Sequence, residues 1–140
     1  MGRSRGGLTT KIHAMVDANG LPITLKLTPG EAHDGRSADD MLDTVGKGQI
    51  LVADAGYDSD RLRAELKRRR AKCCIKPMPN RNKTFRPSRK VYAERNRVER
   101  FFNKLKHFRA IASRYEKSAA NYLALVKLAA ARIWMRFMSL

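Results

Sequence analysis

An α/β fold, a mixed sheet with helices on its faces, is what these 140 residues predict, and three observations carry the prediction. Apolar and polar residues alternate over 8–28 on either side of a turn signal, the pattern of a β-hairpin with one buried face. Over 49–54, Gln49 is followed by Ile50-Leu51-Val52-Ala53 and then by Asp54, a short apolar run of the kind found in strands buried on both faces. Two later segments, 91–108 and 119–138, repeat apolar residues at helical spacing.

Each element has its own signal. In the hairpin, Leu8, Ile12, Ala14 and Val16 share one parity, and Leu21, Ile23, Leu25 and Leu27 share the other strand's buried face. Asp17-Ala18-Asn19-Gly20 joins them, with Asn-Gly tolerating positive φ. Ser37 is placed to cap a short helix that runs to Thr44, with Asp39 and Asp40 in its first turn. After the 49–54 strand, Asp58-Ser59 caps a helix reaching about Arg70 with Leu62 and Leu66 inward. Lys72 to Lys76 form a further short strand. From Pro77 to Lys90, prolines and basic residues with little apolar content read as a mobile basic loop. The order is hairpin, short helix, strand, helix, strand, helix, helix, within one domain over 1–140.

The hydrophobic fraction, 43%, is ordinary, but thirty Lys and Arg against thirteen Asp and Glu give a formal charge of +17 and a pI near 10.7. Such charge repels itself in a compact state and implies a polyanionic partner, of which nucleic acid is the commonest. Cys73 and Cys74 are adjacent, point to opposite faces of a strand, and make neither a disulfide framework nor a metal-ligand spacing. They are expected as small buried hydrophobes of a reducing cytoplasm. Neither a signal peptide nor a membrane-spanning run is visible, so a cytoplasmic protein with no membrane partner is expected.

Two acids stand out. Asp54 ends an apolar strand, with Gly56 two residues on, and so falls at the carboxyl edge of a sheet, where α/β proteins gather ligand sites. The plainer role of a turn cap fits it equally. In the 91–108 helix, Tyr92, Arg95, Glu99 and Lys106 fall within an arc of about 60° at ~100° per residue. Val98, Phe101, Leu105 and Phe108 occupy the opposite, core-facing side. A carboxylate among cations and a phenol suits a divalent ion beside a phosphate backbone; a solvated helix with incidental ion pairs is the alternative.

At these residues a resemblance becomes specific. Tyr92-x2-Arg95-x3-Glu99-x6-Lys106 is similar, at every position, to the Y-(2)-R-(3)-E-(6)-K signature of insertion-sequence DDE transposases, in their family-five branch. The blocks Gly6-Gly7-Leu8-Thr9-Thr10-Lys11-Ile12-His13, Leu27-Thr28-Pro29-Gly30-Glu31-Ala32-His33-Asp34 and Asp54-Ala55-Gly56-Tyr57-Asp58 resemble that branch in the same order. So does the segment from Phe108 to Lys117. The resemblance implies an RNase H-like mixed sheet and two-metal phosphoryl transfer with Mg²⁺, or Mn²⁺ in its place. It implies Asp54 and Glu99 as catalytic metal ligands and Tyr92, Arg95 and Lys106 as contacts to DNA, both terminal-repeat and target.

One part of the pattern is missing. The family's first Asp lies on a central strand upstream of the Gly-Gly-Leu-Thr-Thr block, which here begins five residues after Met1. Asp17 has a turn position, and Asp34, Asp39 and Asp40 are awkwardly placed to replace it. The chain is therefore expected to be the C-terminal part of the catalytic domain with its first strand missing, inactive or nearly so alone. Two histories fit: a second frame completed by an upstream-frame polypeptide or a frameshift fusion, and homo-oligomeric when complete, or a truncated remnant. A non-catalytic basic nucleic-acid-binding protein and a nuclease of related fold are the competing functions. His13 and His33 are assigned structural or DNA-contact roles, and Trp134, Met135, Phe137 and Met138 core or interface. Arg68-Arg69-Arg70 divides evenly between solvated charge and DNA contact.

Overall fold

In the computed structural model, the described residues are 2–4, 7–30, 38–81, 87–108 and 119–139. Ser37, His33 and Asp34, with the expectations attached to them, lie outside these. The chain divides into two compact units, one formed by Met1–Glu31 and Asn96–Leu140, the other by Ala32–Arg95.

The first unit contains a three-stranded antiparallel sheet in the order β1-β2-β3, from β1 (Gly2–Ser4), β2 (Gly7–Val16) and β3 (Pro22–Pro29). The expected hairpin is present, with Ile12 opposite Leu27 and Ala14 opposite Leu25. Its turn departs from expectation. The Gly20 amide donates to the Asp17 carbonyl at 2.9 Å, the Asp17 carboxylate accepts from the Asn19 and Leu21 amides, and only Gly20 has positive φ, at 79°. This is a three-residue loop with one left-handed residue rather than a two-residue turn that needs two. The strands slip at Met15/Val16, where Thr24 pairs with Met15 but Pro22 with Val16. Ile23 is the extra residue of that bulge and turns outward, 46% exposed, instead of joining Leu21, Leu25 and Leu27 inside.

The apolar sheet face packs on α3 (Asn96–Lys106) and α4 (Ala119–Met138). Leu21, Phe101, Leu105, Tyr122, Val126, Ala129 and Ile133 form the core, flanked by Ile12, Ala14, Val16, Leu25 and Leu27. Trp134 joins its edge and donates its indole N–H to the Pro22 carbonyl at 2.8 Å, which ties the end of the last helix to the start of β3. Met135, Phe137 and Met138, by contrast, are exposed. No described helix is long and apolar enough to cross a membrane.

The second unit is a βαβ element, β4 (Ile50–Ala53), α1 (Asp60–Arg68) and β5 (Lys72–Ile75), with the strands parallel and Ile50 opposite Lys72. Leu62 and Leu66 are fully buried, as the helix spacing predicts. Before it comes a 3-10 helix, Asp39–Thr44, whose capping position is Ala38, with no side-chain cap. β4 was expected to be buried on both faces; instead Ile50 is exposed and its neighbours half-buried. The two-stranded sheet gives β4 one strand neighbour among the described residues, so its burial is partial. Antiparallel and parallel pairings both occur, as a mixed sheet needs, but in two separate sheets.

α1 ends on Arg70 at φ 58°, its amide bonded to the Lys67 carbonyl and the Ala71 amide to the Leu66 carbonyl. This is a Schellman ending with Arg where Gly is preferred. The predicted 91–108 helix is not continuous. It begins as α2 (Arg89–Tyr92), tightens into a 3-10 turn over Ala93–Arg95, and resumes as α3. Between Tyr92 and Val98 only Ala93 is apolar, so no buried stripe anchors those turns, and helices of this length depend on such packing.

Candidate functional site

Asp54 follows β4 directly and caps the one-turn 3-10 helix Ala55–Tyr57, its Oδ1 accepting from the Gly56 amide at 3.0 Å. The side chain is exposed and Oδ2 has no described hydrogen bond. The two expected roles are therefore compatible: one oxygen caps the turn, and the residue is exposed at the carboxyl end of a parallel strand. A carboxylate oxygen is the ligand type that divalent ions such as Mg²⁺ take, but among the described residues no three His, Cys, Asp or Glu side chains gather to hold one.

Asp58 ends the same turn and has a different environment. It was expected to cap α1, yet Ser59 does so, its hydroxyl accepting from the Leu62 amide at 3.1 Å. The Asp58 side chain is wholly buried. Oδ1 accepts from Arg63 Nε at 2.7 Å and Arg81 Nη2 at 2.8 Å; Oδ2 accepts from Arg81 Nε at 2.8 Å and the Met78 amide at 2.7 Å. Burial pushes its pKa up, but the hydrogen bonds from Arg81, Met78 and Arg63 outweigh this and hold it at about 2. Arg63 also donates to the Ile75 carbonyl at 2.9 Å, and Arg81 to Asp60. With two donors on each oxygen, Asp58 has no lone pair left for a metal.

This cluster changes the reading of the 77–90 segment. Met78 and Arg81 are anchored to a buried carboxylate, so the stretch to residue 81 is fixed; residues 82–86 lie outside the described residues. The Arg68-Arg69-Arg70 run separates in the same way. Arg69 donates to the Leu42 carbonyl at 2.7 Å and to Glu65 at 2.8 Å, and Arg68 also grips Glu65. Those two hydrogen-bonded guanidinium groups hold the Glu65 carboxyl at about 2. His13 is buried and shares a 2.7 Å hydrogen bond with Thr28 Oγ1, a structural role. Cys74 is buried as expected and Cys73 is exposed.

The residues of the 92–106 spacing fall in different elements. Tyr92 lies in α2 and Arg95 in the following 3-10 turn, where the guanidinium sits over the phenol ring, 5.8 Å from its centroid. Both α2 and that turn pack against β4, the strand that leads to Asp54. Glu99 and Lys106 are exposed on α3, seven residues apart and so on one face. Glu99 lies in the first turn, where the helix dipole favours a negative charge. Asp54, Tyr92 and Arg95 thus belong to the second unit and Glu99 and Lys106 to the first. Sequence reading missed the Asp58–Arg63–Arg81 cluster; its one sequence signal was an Asp closing a family-like block and followed five residues later by Arg.

Residues 2–134 match the family model of the transposase DDE domain. The chain is 44% identical over 130 residues to a putative transposase for insertion sequence element IS6501 of Brucella ovis, covering 92% of this chain and all of that protein. It is 30% identical over 125 residues to a transposase for insertion sequence element IS1106 of Neisseria meningitidis, covering 86% of this chain and 41% of that one. It is 31% identical over 137 residues to a putative transposase for insertion sequence element IS402 of Burkholderia cepacia, covering 90% and 62%. No solved structure matches the chain. The chain belongs to the DDE transposases of insertion sequences, a family of DNA-cutting and DNA-joining enzymes.

Proposed function

We propose that this chain forms the C-terminal part of an RNase H-like catalytic domain that cuts and joins DNA at the ends of an insertion sequence. Asp54 and Glu99 are assigned as two of the three carboxylates that hold divalent ions, Mg²⁺ or Mn²⁺. Such ions supply activation of water or a 3′-hydroxyl and stabilise the leaving oxygen of an in-line displacement. Tyr92, Arg95 and Lys106 are assigned to DNA, Arg95 held in place by its stacking on Tyr92. The carrying observation is the exposed Asp54 carboxylate at the end of a parallel strand, beside the elements that bear Tyr92 and Arg95. The net charge of +17 supports a phosphate backbone as substrate.

The third carboxylate is assigned to an Asp-bearing strand of an upstream-frame polypeptide or frameshift fusion. Residues 1–140 alone are expected to cleave weakly or not at all. The test is cleavage of terminal-repeat DNA by the chain fused to such a segment, in Mg²⁺ and in Mn²⁺. Activity is expected in the fusion and its loss in Asp54→Ala and Glu99→Ala. Binding that is salt-dependent, with cleavage indifferent to both changes, would favour a non-catalytic DNA-binding protein.

A further inference from the structure

We infer that Asp58, acting through Arg63 and Arg81, is a positioning residue that holds Asp54 in place to receive a divalent ion; this rests on Asp54 being a metal ligand. The Asp54 side chain itself has few ties. Its side chain is exposed, its one described hydrogen bond is to its own turn, and β4 before it is half-covered with a single strand neighbour. The turn after it is short: the Tyr57 amide donates to the Asp54 carbonyl at 3.2 Å and the Asp58 amide to the Ala55 carbonyl at 3.0 Å. The place of Asp54 is therefore set from both sides, by the pairing of β4 with β5 before it and by the far end of that turn after it. There the Asp58 carboxylate joins α1 through Arg63 and the 78–81 segment through Met78 and Arg81, and Arg63 carries the tie on to β5.

The saturation of Asp58 separates its role from that of Asp54. A carboxylate meant for a metal keeps an oxygen accessible, whereas Asp58 is enclosed by four hydrogen bonds. The cluster also balances charge, since Asp58 and Asp60 offset Arg63 and Arg81 four residues from the proposed ligand. Removing the Asp58 charge would leave two guanidinium groups near a cation site and release the turn. Asp60 is a built-in control: its side chain is 90% exposed and pairs with Arg81 alone among the described ion pairs.

The experiment is a titration of the 140-residue chain with Mn²⁺, following paramagnetic broadening of the Gly56 amide signal. Asp58→Asn is expected to raise the half-broadening concentration about tenfold, the usual scale for outer groups that support a metal ligand. Arg81→Lys keeps the charge but cannot bridge both oxygens, and a smaller rise is expected; Asp60→Asn is expected to leave the midpoint unchanged. If Asp58→Asn does not fold, Arg81→Lys decides. A purely structural role would lower the folded fraction while the folded molecules kept the original midpoint, and that result overturns the inference. If Asp54→Asn itself leaves the midpoint where it was, the metal-ligand assignment fails first, and the two failures are distinguishable.

Discussion

The two units solve the problem of holding a small fold together by different means. The first buries a contiguous apolar cluster between one sheet face and two helices, with Phe101 at its centre. The second has short strands, half-exposed at β4, and adds hydrogen-bonded ion pairs around Asp58 and Glu65. Apolar packing tolerates pH and salt but responds to lost volume. Buried ion pairs tolerate little change of charge, because removing one partner strands the other. The unit that carries Asp54 is thus the one whose geometry is set by directional bonds.

Substitutions that attack each means separately sharpen the contrast. Phe101→Ala is expected to destabilise the first unit by about 3–5 kcal/mol, read by thermal unfolding through Trp134, the chain's single tryptophan. Asp58→Ala is expected to cost the second unit about 3–5 kcal/mol, since two arginines lose a buried partner. Faster amide exchange at Leu62 and Leu66 would register it, whereas unchanged exchange would show the cluster to be incidental.

Acid offers a milder probe. The Asp58 pKa lies below its ordinary 3.8, at about 2, so its stabilisation is complete above about pH 4 and is lost as pH falls through the folded value. That contribution is about 2 kcal/mol, and exchange at Leu62 between pH 4 and pH 2 measures it. Smaller still, Trp134→Phe removes one hydrogen bond to Pro22 and is expected to cost about 1 kcal/mol in thermal unfolding. Arg70→Gly relieves a left-handed residue and is expected to stabilise the second unit by up to about 1 kcal/mol.

What was legible in the sequence follows the same division. Periodicity located the hairpin, the Leu62–Leu66 face and the 119–138 helix, because repeating apolar burial leaves a repeating pattern. It failed where one residue breaks register, as at Ile23, and where a helix runs without a buried stripe, as at 93–95. The position of Asp54 after its strand was readable from the run before it. The Asp58 cluster was not, since Arg63 and Arg81 reach it across 5 and 23 residues and no local rule pairs residues so far apart.

The central proposal is that Asp54 and Glu99 both hold divalent ions, and a double-mutant cycle on Mn²⁺ affinity tests it directly. If they do, Asp54→Asn and Glu99→Gln each remove most of the affinity, and the double variant loses little more than either. Losses that simply add, or a Glu99→Gln variant that binds Mn²⁺ as tightly as the parent, would show that the two carboxylates act apart.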